Sequence, residues 1–179
     1  MSPRIPTLSI DDAPATSAEI LSDIQRALGM VPNLHKTLAH APAALQAYTA
    51  MAGALSEGVL PAKLRESIAI ATAARNNCQY CASAHTLLGK GAGLSSDELG
   101  LNLEGKSTDP KVAAVLGFVT ELIEQKGSIN DFTMAALRDA GISPAEIAEI
   151  IAHVGMNSFT NLFNVAIQTE IDFPIVELP

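Results

Sequence analysis

The sequence predicts an all-α protein of about eight helices, folded as a single domain over residues 1–179. No segment shows the sustained alternation of apolar and polar residues, or the hairpin dipeptides, that indicate β-strands. Apolar residues instead recur at helical spacing between the capping residues, prolines and glycines that start and stop helices. A chain of 179 residues is long enough to bury a core.

Three helices and one short helical turn, over residues 31–42, are predicted in the N-terminal part of the chain. In order, they cover residues 14–29, 31–42, 42–58 and 60–76. In the first, Thr16 and Glu19 have capping-box spacing, and Gly29 is a typical terminating residue. The fourth begins with Pro61 in its first turn, a position that proline favours.

The C-terminal part is predicted to hold the remaining helices and an extended tail. The helices cover residues 78–91, a short segment beginning near Ser95, and residues 109–127, 130–141 and 143–168. The last one starts with Ser143 as N-cap and Glu146 as the capping-box acid. Residues 171–179 are predicted to be extended, because Pro174 and Pro179 break helices, and to pack on a neighbouring subunit.

Charge and composition narrow the classes of function. Lys and Arg number 11 and Asp and Glu 19, a net charge of −8, which argues against a nucleic-acid or anionic-membrane partner. No run approaches the ~20 apolar residues that span a bilayer, and the N-terminus lacks a signal-peptide pattern, so we expect a soluble, cytoplasmic protein. Hydrophobic residues make up 48% and charged residues 17%. This composition indicates either a large self-association interface or an Ala-rich bundle.

The two halves show an internal similarity that predicts a duplicated helix pair. Shifted by 83 positions, residues 58–69 overlay residues 141–152, and Glu66 meets Glu149. The same shift places the residues Cys78, Tyr80, Cys81 and His85 on Asn161, Phe163, Asn164 and Gln168. A second copy without redox groups would give this pattern and pseudo-twofold symmetry within the subunit. Chance similarity between two Ala/Ile-rich helices is the alternative.

The chain's only two cysteines form a distinctive motif. Cys78 and Cys81 are followed by His85 and preceded by Glu66, in the pattern E-x11-C-x2-C-x3-H. The cysteines and the histidine occupy positions i, i+3 and i+7, which share one face of a helix. A cysteine at a helix N-terminus is stabilised as the reactive thiolate. In a reducing compartment, such a close pair indicates catalysis or metal binding rather than a structural disulfide.

The residues around the pair leave several interpretations open. His85 lies one turn beyond Cys81 and can hydrogen-bond its sulfur, and Glu66 can orient the imidazole if the two helices form a hairpin. The alternative for Glu66 is a solvated acid on a helix face. Tyr80 either donates a hydrogen bond to a substrate or a sulfur, or packs in the core. Cys78, Cys81, His85 and Glu66 would also be acceptable zinc ligands, although no second knuckle is visible.

The motif resembles that of the alkylhydroperoxidase D-like (AhpD-like), peroxidase-related branch of the carboxymuconolactone decarboxylase family. The segment LGMVPNLHKTLAHAPAAL and the DFP near the C-terminus are similar to the same branch, so most of the chain is covered. The resemblance implies an AhpD-like helical bundle and subunits that assemble into homo-oligomers such as trimers or hexamers. It also implies reduction of alkyl hydroperoxides by the dithiol, with no cofactor and no metal.

The resemblance also implies a role for each residue of the motif. Cys81 would attack the peroxide and Cys78 would resolve the sulfenic acid into a disulfide, with Glu66 and His85 as proton relay. A dithiol electron donor, lipoyl- or thioredoxin-like, would regenerate the pair. The helix-dipole argument instead favours Cys78 as the more acidic thiol. Some members carry a histidine where this chain has Tyr80, and that departure puts the relay path in question.

Two other functions stay open at this point. One is a zinc-binding or redox-sensing module without turnover, which would use the sulfurs as ligands or as a switch. The other is a cofactor-free decarboxylase or lyase acting on a lactone-like substrate, with Glu66 and His85 as acid and base. The decarboxylase branch of the family lacks the cysteine pair, which argues against lactone decarboxylation here.

Overall fold

The computed structural model describes residues 3–179, and this part of the chain forms nine α-helices and no strand. The helices are α1 (Ala15–Leu28), α2 (Asn33–Leu38), α3 (Pro42–Ser56), α4 (Ala62–Arg75), α5 (Gln79–Gly91), α6 (Ser96–Leu103), α7 (Pro110–Glu124), α8 (Asp131–Asp139) and α9 (Pro144–Ile167). The predicted all-α class is confirmed. No helix in the described residues is both long and apolar enough to cross a membrane.

Helix α4 lies at the centre of the bundle and packs against α5, α6, α7 and α9. Its residues 67–73 are buried without a break, and a helix that is apolar nearly all round belongs inside a bundle. One core cluster joins α4 to α7 and α9. A second joins α1, α2 and α3 to the start of α5, where Cys78 and Cys81 lie. The central helix contributes to both clusters, with Leu64 and Ile68 in the first and Ala73 in the second.

The helix starts follow the capping predictions in part. The capping box of α9 is confirmed, because Ser143 Oγ accepts from the Glu146 amide at 3.2 Å and Glu146 Oε2 accepts from the Ser143 amide at 2.7 Å. The capping box predicted from Thr16 is wrong, since α1 already begins at Ala15, the residue before Thr16, and its N-cap is Pro14. Pro61 is the N-cap of α4 rather than a first-turn residue.

The C-terminal tail is extended, as predicted, and its partly buried side chains pack on its own chain. Ile171, Phe173 and Leu178 lie against the second cluster. The amide of Val176 donates to Ser83 Oγ at 3.0 Å, which fastens the tail along α5. The dithiol region is therefore covered by residues from the far end of the sequence.

The helix pair predicted to recur does so only in its first member. Helices α4 and α9 begin at Ala62 and Pro144, within one residue of the 83-residue shift. In the first copy, the chain breaks at residues 76–78 and restarts as α5. The corresponding residues of the second copy lie inside α9, which runs unbroken for 24 residues. The common origin of the two segments stays a prediction.

Candidate redox site

The two cysteines lie at the start of α5. Cys78 is the N-cap of the helix, and its Sγ accepts a hydrogen bond from the Cys81 amide at 3.3 Å. The two sulfurs are joined as a disulfide, with the Cα atoms 5.4 Å apart. Asn77 adopts a left-handed conformation with φ 53°, which asparagine tolerates better than most residues. This residue turns the chain out of α4 and into α5.

Cys78 borders an open groove at the start of α5. Cys78 and Cys81 are 1% and 3% exposed, so both lie essentially inside the protein. A groove of about 570 Å³ runs between the start of α5, the end of α9 and the tail, and Cys78 lines it whereas Cys81 does not. A reagent that enters the groove therefore meets Cys78 first.

Glu66 and His85 are brought together by the packing of α4 against α5. His85 Nδ1 lies 2.8 Å from Glu66 Oε2, and both side chains are about one-fifth exposed. A carboxylate on Nδ1 fixes the tautomer and orientation of the ring, and leaves Nε2 for proton exchange. Glu66 is thus a paired acid rather than a fully solvated one.

The predicted contact between His85 and the sulfur of Cys81 is not made in this disulfide form. Within residues 3–179 no hydrogen bond joins the two groups. Cys81 Sγ instead receives a hydrogen bond from Asn164 Nδ2 of α9, at 3.3 Å. A pattern in the sequence points to this residue: Asn157, Asn161 and Asn164 recur at helical spacing on one face of α9. All three are buried in the structure.

Tyr80 packs in the core and bonds to the backbone. It is 5% exposed, its hydroxyl oxygen accepts from the Leu34 amide at 3.1 Å, and its ring meets Phe173 edge-on, with centroids 5.5 Å apart. Burial raises the pKa of Tyr80, and the nearby charge of Asp172 adds to the effect. A neutral phenol held in this way ties α5 to α2 and the tail, and its recorded contacts include neither sulfur.

Burial also shifts the pKa values of two further histidines, His35 and His153. Burial lowers the pKa of His35 to about 4, against the opposing charge of Asp172. Burial also lowers the pKa of His153, helped by the charge of Arg65. Both imidazoles are therefore neutral at pH 7. The charges of Glu66 and His85 also act on the pKa of His153, so this imidazole lies near the pair.

The residues weighed as zinc ligands do not form a metal site. Among residues 3–179 no group of three or more His, Cys, Asp or Glu side chains is placed to hold a metal ion. Glu66 and His85 bind each other, whereas Cys78 and Cys81 bind each other at the groove. The arrangement is two adjoining pairs, one suited to thiol redox chemistry and one to proton transfer.

Comparison with known proteins agrees with this geometry. Residues 42–121 match the carboxymuconolactone decarboxylase family, and this segment contains Glu66, Cys78, Cys81 and His85. A 45-residue segment is 53% identical to an uncharacterized protein of Haemophilus influenzae. That match covers 25% of this chain and 40% of the relative, so the chain spans less than half of that protein.

Solved structures share the fold over nearly the whole chain. A peroxidase-related protein with an alkylhydroperoxidase AhpD core, from Ralstonia eutropha JMP134, has a TM-score of 0.83 and 27% identity, over 95% of this chain and 92% of that one. A peroxidase-related protein from Silicibacter sp. TM1040 has a TM-score of 0.81 and 25% identity, over 95% and 94%. The debrominase Bmp8 has a TM-score of 0.81 over 96% and 93%, but at 19% identity it shows the fold alone.

Proposed function

Because the chain belongs to the AhpD-like branch of the carboxymuconolactone decarboxylase family, we propose that it is a thiol-dependent peroxidase that reduces alkyl hydroperoxides with Cys78 and Cys81. The observation that carries the proposal is the pairing of the chain's only two cysteines as a disulfide at a helix N-terminus. A disulfide between adjacent helical cysteines is the oxidised product that such a cycle leaves.

The proposed oxidative half of the cycle uses both sulfurs. The Cys81 thiolate attacks the terminal peroxide oxygen, the O–O bond breaks, and the alcohol leaves after taking up a proton. Cys81 is then a sulfenic acid. Cys78 attacks its sulfur, releases water and forms the disulfide, so two electrons pass from the dithiol to the hydroperoxide. A dithiol donor, lipoyl- or thioredoxin-like, returns them.

The Glu66–His85 pair would move the protons of this cycle. Glu66 holds Nδ1 of the ring at 2.8 Å, so Nε2 is the atom that takes the thiol proton and later protonates the leaving alkoxide. The proposal requires the Cys81 sulfur to come within reach of Nε2, directly or through one water, once reduction has parted the sulfurs. Catalytic hydrogen bonds are often long in structures without substrate.

The direct test follows the thiols. Protein reduced with dithiothreitol and desalted is mixed with cumene hydroperoxide, and free thiols are counted in denaturant over time. We expect two thiols to be lost for each hydroperoxide reduced, with cumyl alcohol as the product. Thiols that survive many minutes of modest excess hydroperoxide would refute the peroxidase proposal.

Single cysteine variants assign the two roles. Cys81→Ser should abolish turnover, whereas Cys78→Ser should react once and leave a sulfenic acid that dimedone labels at Cys81. Each variant is the matched control of the other, because both lose the disulfide. Retained turnover in Cys81→Ser would remove Cys81 from the attacking role.

The other candidate functions give different outcomes in the same preparations. Stoichiometric zinc in the purified protein would favour the metal-binding module. Lyase activity on a lactone-like substrate would persist in both cysteine variants. Because the debrominase neighbour was solved with 2,3,4-tribromopyrrole, bromide release from that compound by the reduced protein would point to reductive debromination instead.

A further inference from the structure

We propose that Asn164 is a further catalytic residue, whose side-chain amide stabilises negative charge on the sulfur of Cys81. The inference rests on the proposed thiol chemistry and deepens it. It assigns a role at the reacting atom to a residue that lies 83 positions away in sequence, on a different helix.

The two sulfurs obtain their hydrogen-bond donors from different sources. Cys78 is the N-cap, so the start of its own helix supplies a donor, the Cys81 amide at 3.3 Å. Cys81 lies inside the first turn. Its recorded donor is Asn164 Nδ2, also at 3.3 Å. Asn164 therefore does for Cys81 what the helix terminus does for Cys78.

The buried position of Asn164 lowers the stability of the fold unless its amide makes a hydrogen bond. The residue is 3% exposed, and burying an amide is unfavourable unless it is hydrogen-bonded. Its Oδ1 is buried with no partner among the described residues, so the bond to sulfur is the contact that offsets the burial. A sulfur in a disulfide or a thiolate carries no hydrogen to donate, so the NH₂ group, and not the oxygen, belongs on its side.

Neighbouring asparagines hold α9 against the dithiol turn. Asn161 Oδ1 accepts from Asn76 Nδ2 at 3.0 Å, and Asn76 is the C-cap of α4, two residues before Cys78. Asn164 makes the next contact along the same face. The Asn161–Asn76 bond therefore holds α9 against the turn between α4 and α5. This keeps the Asn164 amide in place when the disulfide opens.

The amide acts in both halves of the cycle. In the oxidative half it stabilises the Cys81 thiolate that attacks the peroxide. In the reductive half, a thiolate of the donor dithiol enters the groove and attacks Cys78 Sγ. A donor–Cys78 bond forms, the Cys78–Cys81 bond breaks, and the electron pair stays on Cys81, where Asn164 receives it. The donor's second thiolate then attacks the donor sulfur of this mixed disulfide, and Cys78 leaves as a thiolate that is protonated from solvent.

The test measures the acidity of Cys81 in isolation. In Cys78→Ser protein, Cys81 is the only thiol, and the rate of its alkylation by iodoacetamide against pH gives its pKa. We expect Asn164→Leu, which keeps the branching of the side chain and removes the donor, to raise this pKa by about one unit. At a pH below both pKa values the thiolate fraction should then be about tenfold smaller, and alkylation about threefold slower, because a more basic thiolate is more nucleophilic.

Asn157→Leu is the matched control. It removes a buried amide from the same face of α9, but that amide bonds to the His153 carbonyl and not to a sulfur or to the dithiol turn. Its Cys81 pKa should stay within a few tenths of a unit of the parent. An unchanged pKa in Asn164→Leu, or an equal rise in both variants, would overturn the proposal. If Asn164→Leu fails to fold, Asn164→Ala removes the same donor without adding bulk.

A second measurement addresses the reductive step. With both cysteines present, the oxidised Asn164→Leu protein should be reduced by dithiothreitol several-fold more slowly than the oxidised parent, because the leaving thiolate has lost its donor. An unchanged rate would contradict the reductive role. Neither measurement uses a peroxide. A protein that fails to reduce hydroperoxides can still show both effects, and an active peroxidase that shows neither would refute the role of Asn164 alone.

Discussion

Two glutamates at matching positions of α4 and α9 make different contacts. Glu66 binds the ring of His85 at 2.8 Å. Glu149 instead accepts from the backbone, with Val59 N at 2.8 Å and 2.9 Å from its two oxygens and Leu60 N at 3.2 Å. The acid that recurs with the 83-residue shift is therefore a proton-relay candidate in one copy and a clamp on the loop before α4 in the other.

Replacing each glutamate by glutamine separates these two duties. We expect Glu66→Gln to lower kcat/KM for hydroperoxide by about 100-fold, since the relay loses its carboxylate, with little change in the free energy of unfolding. Glu149→Gln should lower the free energy of unfolding by about 1–2 kcal/mol, because charged hydrogen bonds to two amides are weakened. Activity per folded molecule should be unchanged. Urea unfolding and steady-state kinetics check both, and a reversed pattern would exchange the two roles.

His35 makes the stability of the fold depend on pH. Its pKa is about 4 in the folded protein, against 6.5 for an ordinary histidine, because of burial. Between these values the unfolded chain binds a proton that the folded chain does not, so the free energy of unfolding falls as pH is lowered. We expect a loss of about 2–3 kcal/mol between pH 7 and pH 4 from this group.

The measurement is urea unfolding as a function of pH in the parent and in His35→Leu. The variant should lose less stability than the parent between pH 6.5 and pH 4. Some slope will persist, because burial also lowers the pKa of His153. Parallel curves for the two proteins would mean that His35 is protonated in the folded state.

At this scale the sequence identified the residues of the two pairs but not their full surroundings. Spacing within a helix and between consecutive helices is a local property of the chain. It was therefore enough to predict Cys78, Cys81, His85 and Glu66. The asparagines of α9 mark one face of that helix, but the contact of Asn164 with Cys81 could not be predicted, since it depends on how α9 crosses α5. Tyr80 was ambiguous for the same reason: its partners, Leu34 and Phe173, come from distant segments.

At the scale of elements, α2 and the tail depend on each other. Helix α2 has Pro32 as N-cap and no capping side chain of its own. Asp172 of the tail supplies the acceptor, with Oδ2 2.8 Å from the Asn33 amide. Asn33 Nδ2 in turn donates to the Glu170 carbonyl at 3.1 Å. The tail thereby caps the helix that precedes it by over 130 residues, and the cap fixes the tail beside the dithiol.

Removing this cap should loosen the cover of the redox site. We expect Asp172→Ala to lower the free energy of unfolding by about 1 kcal/mol, the usual effect of a lost cap, and to speed reduction of the disulfide by dithiothreitol. Glu170→Ala removes the same charge from an exposed position of the tail and is the control. Equal effects of the two variants would indicate a general loss of charge rather than a lost cap.

Helix starts and the break between α4 and α5 were predictable from local signals. The start of α9 follows from Ser143 and Glu146, whose capping box is made within one turn. The predicted helices 60–76 and 78–91 placed a break where α4 ends and α5 begins. The bond that Asn76 makes with Asn161 across the bundle, in contrast, is a tertiary contact that no local pattern displays.

At the scale of the whole molecule, α9 presents an uncharged apolar face to solvent. This α9 face consists of exposed large residues on one side of the helix, namely Ile151, Phe159, Leu162 and Val165, which are 45%, 42%, 69% and 47% exposed. Ala148, Gly155 and Ala166 lie on the same side and are also exposed. The net charge is −8, so a face without charge is where two copies can meet with the least repulsion.

The composition had left two explanations open, and the α9 face bears on the choice. A high apolar fraction predicted either self-association or an Ala-rich bundle. Ala accounts for much of the buried surface of α4, which fits the second explanation. The α9 face is made of larger side chains, which fits the first. We propose that a second copy of the chain covers it.

Leu162→Glu tests this assembly, because it places a charge at the most exposed residue of the α9 face. We expect the parent to sediment as an oligomer and the variant as a single chain of 18.7 kDa. Phe132→Glu is the control: Phe132 is 84% exposed but lies on α8, away from the face, so that variant should keep the parent's mass. A parent that is itself a single chain, or a Leu162→Glu protein of unchanged mass, would contradict the proposal.

Because Val165 lines the same groove as Cys78, the partner would also border the entrance to the disulfide. The dissociated variant should therefore be reduced by dithiothreitol faster than the parent.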